Sequence, residues 1–66
     1  MKNFIEVTTA KGIKEMINIH SVAKFEPHKD GVKIYFKIHN QAYGLVNYKY
    51  VESYSYLKKL IETAQQ

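Results

Sequence analysis

The chain has 66 residues, of which ten are basic and six are acidic, and its formal net charge is +4. This net positive charge allows non-specific attraction to nucleic acid. All ten basic residues are lysines, however, and arginine, the preferred residue for paired phosphate and base contacts, is absent. The lack of cysteine excludes disulfides and thiolate metal sites.

The composition favours a soluble cytoplasmic protein. No run of about 18 apolar residues occurs, so no membrane-spanning helix is expected. The stretch 1–7 becomes polar too early for a secretory signal. A cysteine-free chain also fits a reducing compartment.

Apolar residues alternate with polar ones in five short segments, and a helical pattern follows them. We therefore expect a single α+β domain over residues 1–66. Its predicted architecture is a small antiparallel sheet or partly open barrel of two hairpins and one further strand, followed by a short C-terminal helix. The predicted strands span residues 4–8, 13–17, 22–26, 32–38 and 42–46, and the predicted helix spans residues 53–63.

The first two strands form a predicted hairpin. Ile5 and Val7 share one face of the first strand, and Gly12 can take the positive φ of the following turn. The alternation then breaks at residues 18–21. This break predicts a tight turn or one turn of 3₁₀ helix before the third strand.

The fourth strand has the clearest pattern in the chain. Asp30-Gly31 is a strong hairpin signal, and after it the apolar side chains alternate strictly with basic and aromatic ones. A slip of one residue would bury lysines, so we expect the apolar set to face the core. That set is Val32, Ile34, Phe36 and Ile38, and we expect Ile5, Val7, Val22, Phe25, Leu57 and Leu60 to join it.

Three residues mark where neighbouring elements end or begin. Pro27 cannot donate to a strand ladder, so the third strand must end there or lie at a sheet edge. Gly44 is a candidate bulge in the fifth strand, and residues 47–52 either extend that strand or form a loop. Ser53 is a predicted helix N-cap. The apolar stripe of the helix must dock on the sheet or on a second copy, and it consists of Tyr54, Leu57, Leu60, Ile61 and Ala64.

The order of these elements resembles the small bacterial FlbD-type proteins, which are short single-domain chains known from flagellar gene clusters. The matching features are the opening residues 4–8, the turn at Gly12, Ile17-Asn18 before the tight turn, Val22 followed by Phe25-Glu26-Pro27, and Glu52-Ser53 leading into Tyr56-Leu57-Lys58-Lys59-Leu60-Ile61. The resemblance implies no catalytic residues. The strand order is also similar to the first half of LytTR-type DNA-binding domains, although the later segment that makes many of their DNA contacts has no counterpart here.

No catalytic or metal-binding motif is present in the sequence, and we expect neither an enzyme nor a cofactor. His20, His28 and His39 are separated by eight and eleven residues, which is not a compact metal-ligand spacing. The serines lack a nucleophile motif, and the three glycines are isolated rather than grouped in a phosphate loop.

Two sets of residues are candidate binding surfaces. The polar face of the fourth strand combines basic and aromatic side chains, as surfaces that track nucleic-acid backbones and stack bases do. This candidate nucleic-acid face consists of Lys24, Lys33, Tyr35, Lys37 and His39. A solvated strand face guarded by lysine is the competing interpretation.

The second candidate surface is rich in tyrosine, a residue that is enriched in protein interfaces. It consists of Tyr43, Tyr48, Tyr50, Tyr54 and Tyr56, which in the alternative interpretation pack the strand against the helix. The sequence thus favours a small non-enzymatic module that binds a protein partner or a second copy of itself. Binding of nucleic acid through the Lys/Tyr strand face is the alternative function. A bacterial or phage origin fits either one.

Overall fold

A computed structural model describes residues 2–42 and 44–65. Five antiparallel strands precede one helix, which confirms the predicted α+β fold. The strands form two sheets rather than one, and over the described residues the sheets do not close into a barrel. The strands are β1 (Phe4–Thr8), β2 (Lys14–Asn18), β3 (Val22–His28), β4 (Gly31–Asn40) and β5 (Gly44–Tyr50), with a 3₁₀ turn at Ile19–Ser21 and the helix α1 at Tyr54–Ala64.

β1 and β2 form the two-stranded sheet, and β3, β4 and β5 form the other sheet in that order. The 3₁₀ turn connects the two sheets at the position where the alternation breaks. Asn18 caps it, because the Asn18 side-chain oxygen accepts a hydrogen bond of 2.9 Å from the His20 N–H.

The two sheets are joined at one end by the last residues of β1 and β5 and the residues that follow them. The Val51 N–H donates to the Thr8 carbonyl at 2.9 Å, and Thr9 forms an isolated bridge with Tyr50. The Thr8 N–H in turn donates to Glu52 Oε1 at 2.8 Å. These bonds hold the end of the first hairpin against the chain segment that leads into α1.

α1 begins after Ser53, whose side chain accepts a hydrogen bond of 3.2 Å from the Tyr56 N–H, as an N-cap does. The helix packs against β1, β3 and β4, and Leu57 is fully buried between them. Leu60 and Ile61 are partly buried against the same core. The predicted helical stripe therefore docks on the sheets, and the ring of its first residue, Tyr54, packs on the Phe25 ring at a centroid distance of 5.2 Å and an interplanar angle of 42°.

The core combines the inner faces of both sheets with one face of the helix. As the alternation predicts, the inward residues of β1 and the first half of β4 are almost fully buried. The buried set is Ile5, Val7, Ile19, Val32, Ile34, Tyr50, Leu57 and Ala64.

The far half of β4 departs from the predicted burial. Phe36 is only partly buried and Ile38 is 63% exposed, although both continue the apolar alternation. The reason is length: the 11 residues of α1 span about 16 Å, whereas the 10 residues of β4 span about 33 Å. The helix covers only part of the apolar face.

β3 extends beyond its predicted end at residue 26 and includes Pro27, which pairs with Val32. This confirms the second predicted alternative for Pro27, because β3 is an edge strand. One predicted detail of the strands was wrong. Gly44 begins β5 rather than forming a bulge inside it. The register shifts instead lie between Val22 and Lys24 on β3 and within β4.

Gly31 is required at the start of β4 for two reasons. Its φ is +151°, a value that residues with a side chain rarely adopt. A Cβ at this position would also overlap the carbonyl oxygen of Tyr50 on the neighbouring strand. The hairpin signal in the sequence therefore marks both the turn and a close approach of two backbones.

Candidate functional site

An open groove of about 800 Å³ lies between β2 and the part of the β4–β5 sheet that α1 leaves uncovered. Ile13 and alternate residues of β2 form one wall, and the far halves of β4 and β5 form the other. We call it the apolar groove, and its apolar lining is Ile13, Ile17, Phe36, Ile38, Val46 and Tyr48, with Tyr50 at its base.

The apolar groove brings together large side chains that are more than half exposed. Ile38 is 63% exposed, Tyr48 is 59% exposed and Ile13 is 57% exposed. The Phe36 ring packs against the Tyr48 ring at a centroid distance of 6.1 Å. Single exposed apolar residues are ordinary on protein surfaces, but a contiguous group in one concave site is typical of a binding surface.

Tyr50 connects the groove to the core. Its ring is buried, and its hydroxyl donates a hydrogen bond of 3.2 Å to Glu15 Oε1 on β2. Burial, together with the nearby Glu15 carboxylate, raises the pKa of Tyr50 to about 12. The hydroxyl therefore stays protonated at neutral pH and fixes the spacing between the two walls.

The five tyrosines that the sequence grouped as one interface do not form one surface. Tyr48 lies in the apolar groove, and Tyr50 is buried beneath it. Tyr54 packs on Phe25 at the start of the helix, and Tyr56 is exposed on α1. Tyr43 lies outside the described residues. Among the described tyrosines, Tyr48 is thus the one that combines wide exposure with a place in the groove.

The outer face of the three-stranded sheet, on the side away from α1, carries a cluster of lysines around one tyrosine. Lys24 Nζ lies 4.5 Å and Lys33 Nζ lies 5.3 Å from the centre of the Tyr35 ring, so both make cation–π contacts. Lys33 is also directly opposite Lys49 in the β4–β5 ladder. We call Lys24, Lys33, Tyr35 and Lys49 the lysine face.

The structure therefore unites part of the candidate nucleic-acid face that the sequence indicated. Lys24, Lys33 and Tyr35 are in contact, whereas Lys37 and His39 lie further along β4, where the register with β5 shifts. Lys24 also forms an ion pair of 3.5 Å with Glu26 on its own strand. Lys49 was missed because residues 47–52 could be read either as an extension of the fifth strand or as a loop; the structure shows that β5 continues to Tyr50.

The histidines are separate from one another on the surface. His20 lies in the 3₁₀ turn, His28 ends β3, and His39 lies near the end of β4; all three are exposed. Over residues 2–42 and 44–65, no group of three or more histidine, cysteine or acidic side chains is close enough to hold a metal ion. The same residues include no helix with the length and apolar character needed to cross a membrane.

Sequence reasoning also missed the β2 wall of the groove. Ile13, Glu15 and Ile17 alternate with Lys14 and Met16, which is the period of a strand with one inward face. The neighbouring Met16 and Ile17 obscured that pattern. The signal was present, but only the structure shows that β2 faces the uncovered half of β4.

Comparison with known proteins identifies no relative: no family model, no curated protein and no solved structure matches this chain. The resemblances to FlbD-type proteins and to LytTR-type domains remain predictions from the sequence.

Proposed function

We propose that this chain is a non-enzymatic binding module that acts through protein–protein contacts at the apolar groove. The observation that carries the proposal is the uncovered half of the apolar face of β4, where Ile38 is 63% exposed beside the exposed ring of Tyr48. A partner that covers this face would remove the largest exposed apolar groups of the sheet from water.

The chemistry of the groove supports a binding role over a catalytic one. Its walls are mainly aliphatic and aromatic, and Glu15 is the one carboxylate among its described lining residues. That carboxylate accepts a hydrogen bond from Tyr50 and thereby holds the two walls together. Cytoplasmic action is part of the proposal, and the cysteine-free composition supports it.

Site-specific photo-crosslinking tests the proposed surface. A photoreactive phenylalanine analogue replaces Tyr48 in one variant and Tyr56 in the other, because both tyrosines are more than half exposed. Only Tyr48 lies in the apolar groove. We expect the Tyr48 variant to capture a defined protein, or a second copy of the chain, and the Tyr56 variant to capture it much less.

The captured protein is then purified and titrated against the Tyr48→Ala and Tyr56→Ala variants. Loss of a buried aromatic contact should weaken binding by about tenfold or more in Tyr48→Ala alone. Equal capture at the two positions, or equal affinity of the two alanine variants, would show that the groove is not the binding surface.

Binding of nucleic acid is a second candidate function, and the lysine face favours it. Like charges directly opposite each other destabilise a sheet, and Lys33 lies opposite Lys49 on β5, while Glu26 on β3 lies opposite Lys33 on its other side. A polyanion bound on this face would neutralise that repulsion. The Tyr35 ring offers an aromatic surface for a base, although Lys24 and Lys33 lie over it in the free protein.

Fluorescence anisotropy with single- and double-stranded oligonucleotides tests this candidate. If the three lysines of the lysine face each contact a phosphate, the logarithm of affinity should fall with the logarithm of salt concentration with a slope of about −3 for double-stranded DNA and about −2 for single strands. Lys33→Gln should weaken binding, whereas Lys58→Gln on the exposed side of α1 should change it little. Absence of binding at low salt would reject the nucleic-acid function and leave the groove proposal untouched.

A further inference from the structure

The apolar groove carries its lysines at one end. Thr9 bridges Tyr50 there, so the turn that follows β1 lies beside the end of β5 and closes this end of the groove. Lys11 of that turn and Lys49 of β5 both line the groove, and both residues are exposed. The opposite end is apolar and is lined by the exposed Ile38.

The groove has a net positive charge. Two lysines and one carboxylate are the charged groups of its described lining, namely Lys11, Lys49 and Glu15. Glu15 accepts a hydrogen bond from the Tyr50 hydroxyl, and within residues 2–42 and 44–65 neither lysine forms an ion pair. Lys49 lies on the rim, since it also belongs to the lysine face, so Lys11 is the main basic group of the groove.

From this arrangement we infer that the occupant of the apolar groove is an acidic peptide segment of a different protein, in which apolar residues lie beside one or more Asp or Glu residues. Its apolar side chains would cover Ile38 and Tyr48, and its carboxylates would lie at the bridged end near Lys11. Complementary charges select partners and speed association, whereas buried apolar anchors supply most of the affinity. The inference rests on the proposed function and states the chemistry of the partner.

A second copy of this chain lacks that chemistry. Each copy has a net charge of +4, so two copies repel each other. Four of the six acidic side chains already bond within the chain, and these are Glu6, Glu15, Glu26 and Glu52. The other two, Asp30 in a hairpin turn and Glu62 on α1, are not adjacent in sequence to an exposed large apolar residue.

The open shape of the groove favours a peptide segment over a small apolar molecule. Sites for small molecules enclose most of the surface of their ligand. Here Ile13, Ile38 and Tyr48 are all more than half exposed, so a small molecule would stay largely in water. A peptide segment, by contrast, belongs to a larger partner whose surface can cover the exposed side of the groove.

A phage-displayed library of short random peptides is the probe for this chemistry. The natural chain is the bait, and Tyr48→Ala is used for counter-selection, so that the peptides retained are those that need the groove. We expect the retained peptides to share at least one Asp or Glu close to aromatic or aliphatic residues. Retained peptides without an acidic residue, or failure to retain any peptide, would overturn the inference.

Charge reversal then locates the acidic contact. One retained peptide is labelled and titrated by fluorescence anisotropy against Lys11→Glu and against Lys58→Glu, which makes the same change of charge on the exposed side of α1. Lys11→Glu should weaken binding by about tenfold or more, and Lys58→Glu should weaken it much less. Replacing the acidic residue of the peptide by Lys should restore binding to Lys11→Glu. Circular dichroism confirms that both variants are folded, and equal losses in them would overturn the inference.

Photo-crosslinking at Tyr48 separates this inference from the proposed function. If Tyr48 captures another protein that binds Lys11→Glu and Lys58→Glu equally well, the groove is the binding surface and the chemistry inferred for its partner is wrong. Capture of only a second copy of the chain would likewise overturn the inference and leave the proposed function standing. Equal capture at Tyr48 and Tyr56 would refute the proposed function itself.

Discussion

Ile34 and Ile38 form a matched pair of substitution sites, because both lie in β4 and continue one apolar alternation. Ile34 is fully buried under the helix, whereas Ile38 is 63% exposed in the apolar groove. Changing each to alanine removes the same atoms from the same strand. The difference in stability between the two variants therefore measures how much of the sheet α1 covers.

The expected cost at Ile34 follows from the atoms removed and from the cavity they leave. Three methyl or methylene groups contribute about 0.8 kcal/mol each, and an unfilled cavity adds to this, so Ile34→Ala should cost about 3 kcal/mol. A 66-residue domain is stable by about 3 to 10 kcal/mol in total, so this loss is severe. Ile38→Ala should change stability by less than about 0.5 kcal/mol.

Urea titration followed by circular dichroism measures both values. It is performed at low protein concentration, so that the stability of the isolated chain is measured. If the denaturant slope is about 1 kcal/mol per molar, the Ile34→Ala midpoint should fall by about 3 M and the Ile38→Ala midpoint should barely move. Similar losses in the two variants would refute the reasoning, because they would mean that the far half of β4 is covered within one chain.

Three further predictions concern single contacts, and all three are measured by urea titration. Gly31→Ala should destabilise the fold more than Gly12→Ala. Both glycines have positive φ, but only at Gly31 would the added Cβ overlap the Tyr50 carbonyl oxygen. Equal losses of stability in the two variants would contradict this. Ser53→Ala removes the N-cap of α1 and should lower the free energy of unfolding by about 1 kcal/mol. Ser55→Ala should lower it by less than about 0.5 kcal/mol. A Ser53→Ala variant as stable as the natural chain would show that the cap is unimportant. The folded pKa of Tyr50, about 12, is above its usual value of 10.0, so its stabilising contribution is complete below pH 10 and is lost as the pH rises to 12. Tyr50→Phe should remove the loss of stability between pH 10 and pH 12. If the free energy of unfolding of this variant still falls with pH as steeply as that of the natural chain, Tyr50 is not its source.

The sequence was sufficient for the order and type of the elements, because those depend on local patterns. The break before the 3₁₀ turn, the alternation after Gly31 and the cap at Ser53 each involve a few neighbouring residues. The inward side of the first half of β4 followed from the cost of burying lysine, and Val32 and Ile34 are indeed fully buried.

The candidate site was less accessible to sequence reasoning, because it depends on distant parts of the chain. Tyr50 was grouped with the other tyrosines as one interface, but its ring is buried in the core and its hydroxyl bonds Glu15, which is 35 positions away. Ile38 was assigned to the core because alternation shows which side a residue faces and not whether another element covers that side. Lys49 joined the lysine face only once β5 was known to continue to Tyr50.

The hydrogen bond from Thr8 to Glu52 has a consequence for folding kinetics, since it joins residues 44 positions apart. Each hairpin can form from neighbouring residues, whereas this bond requires closure of a long loop. We therefore expect the hairpins to form early and the junction between the sheets to form after the transition state. Weakening the junction, for example by Glu52→Ala, should accelerate unfolding while leaving the folding rate nearly unchanged. The lifetime of the folded chain thus depends on a contact that contributes little to the speed of its formation.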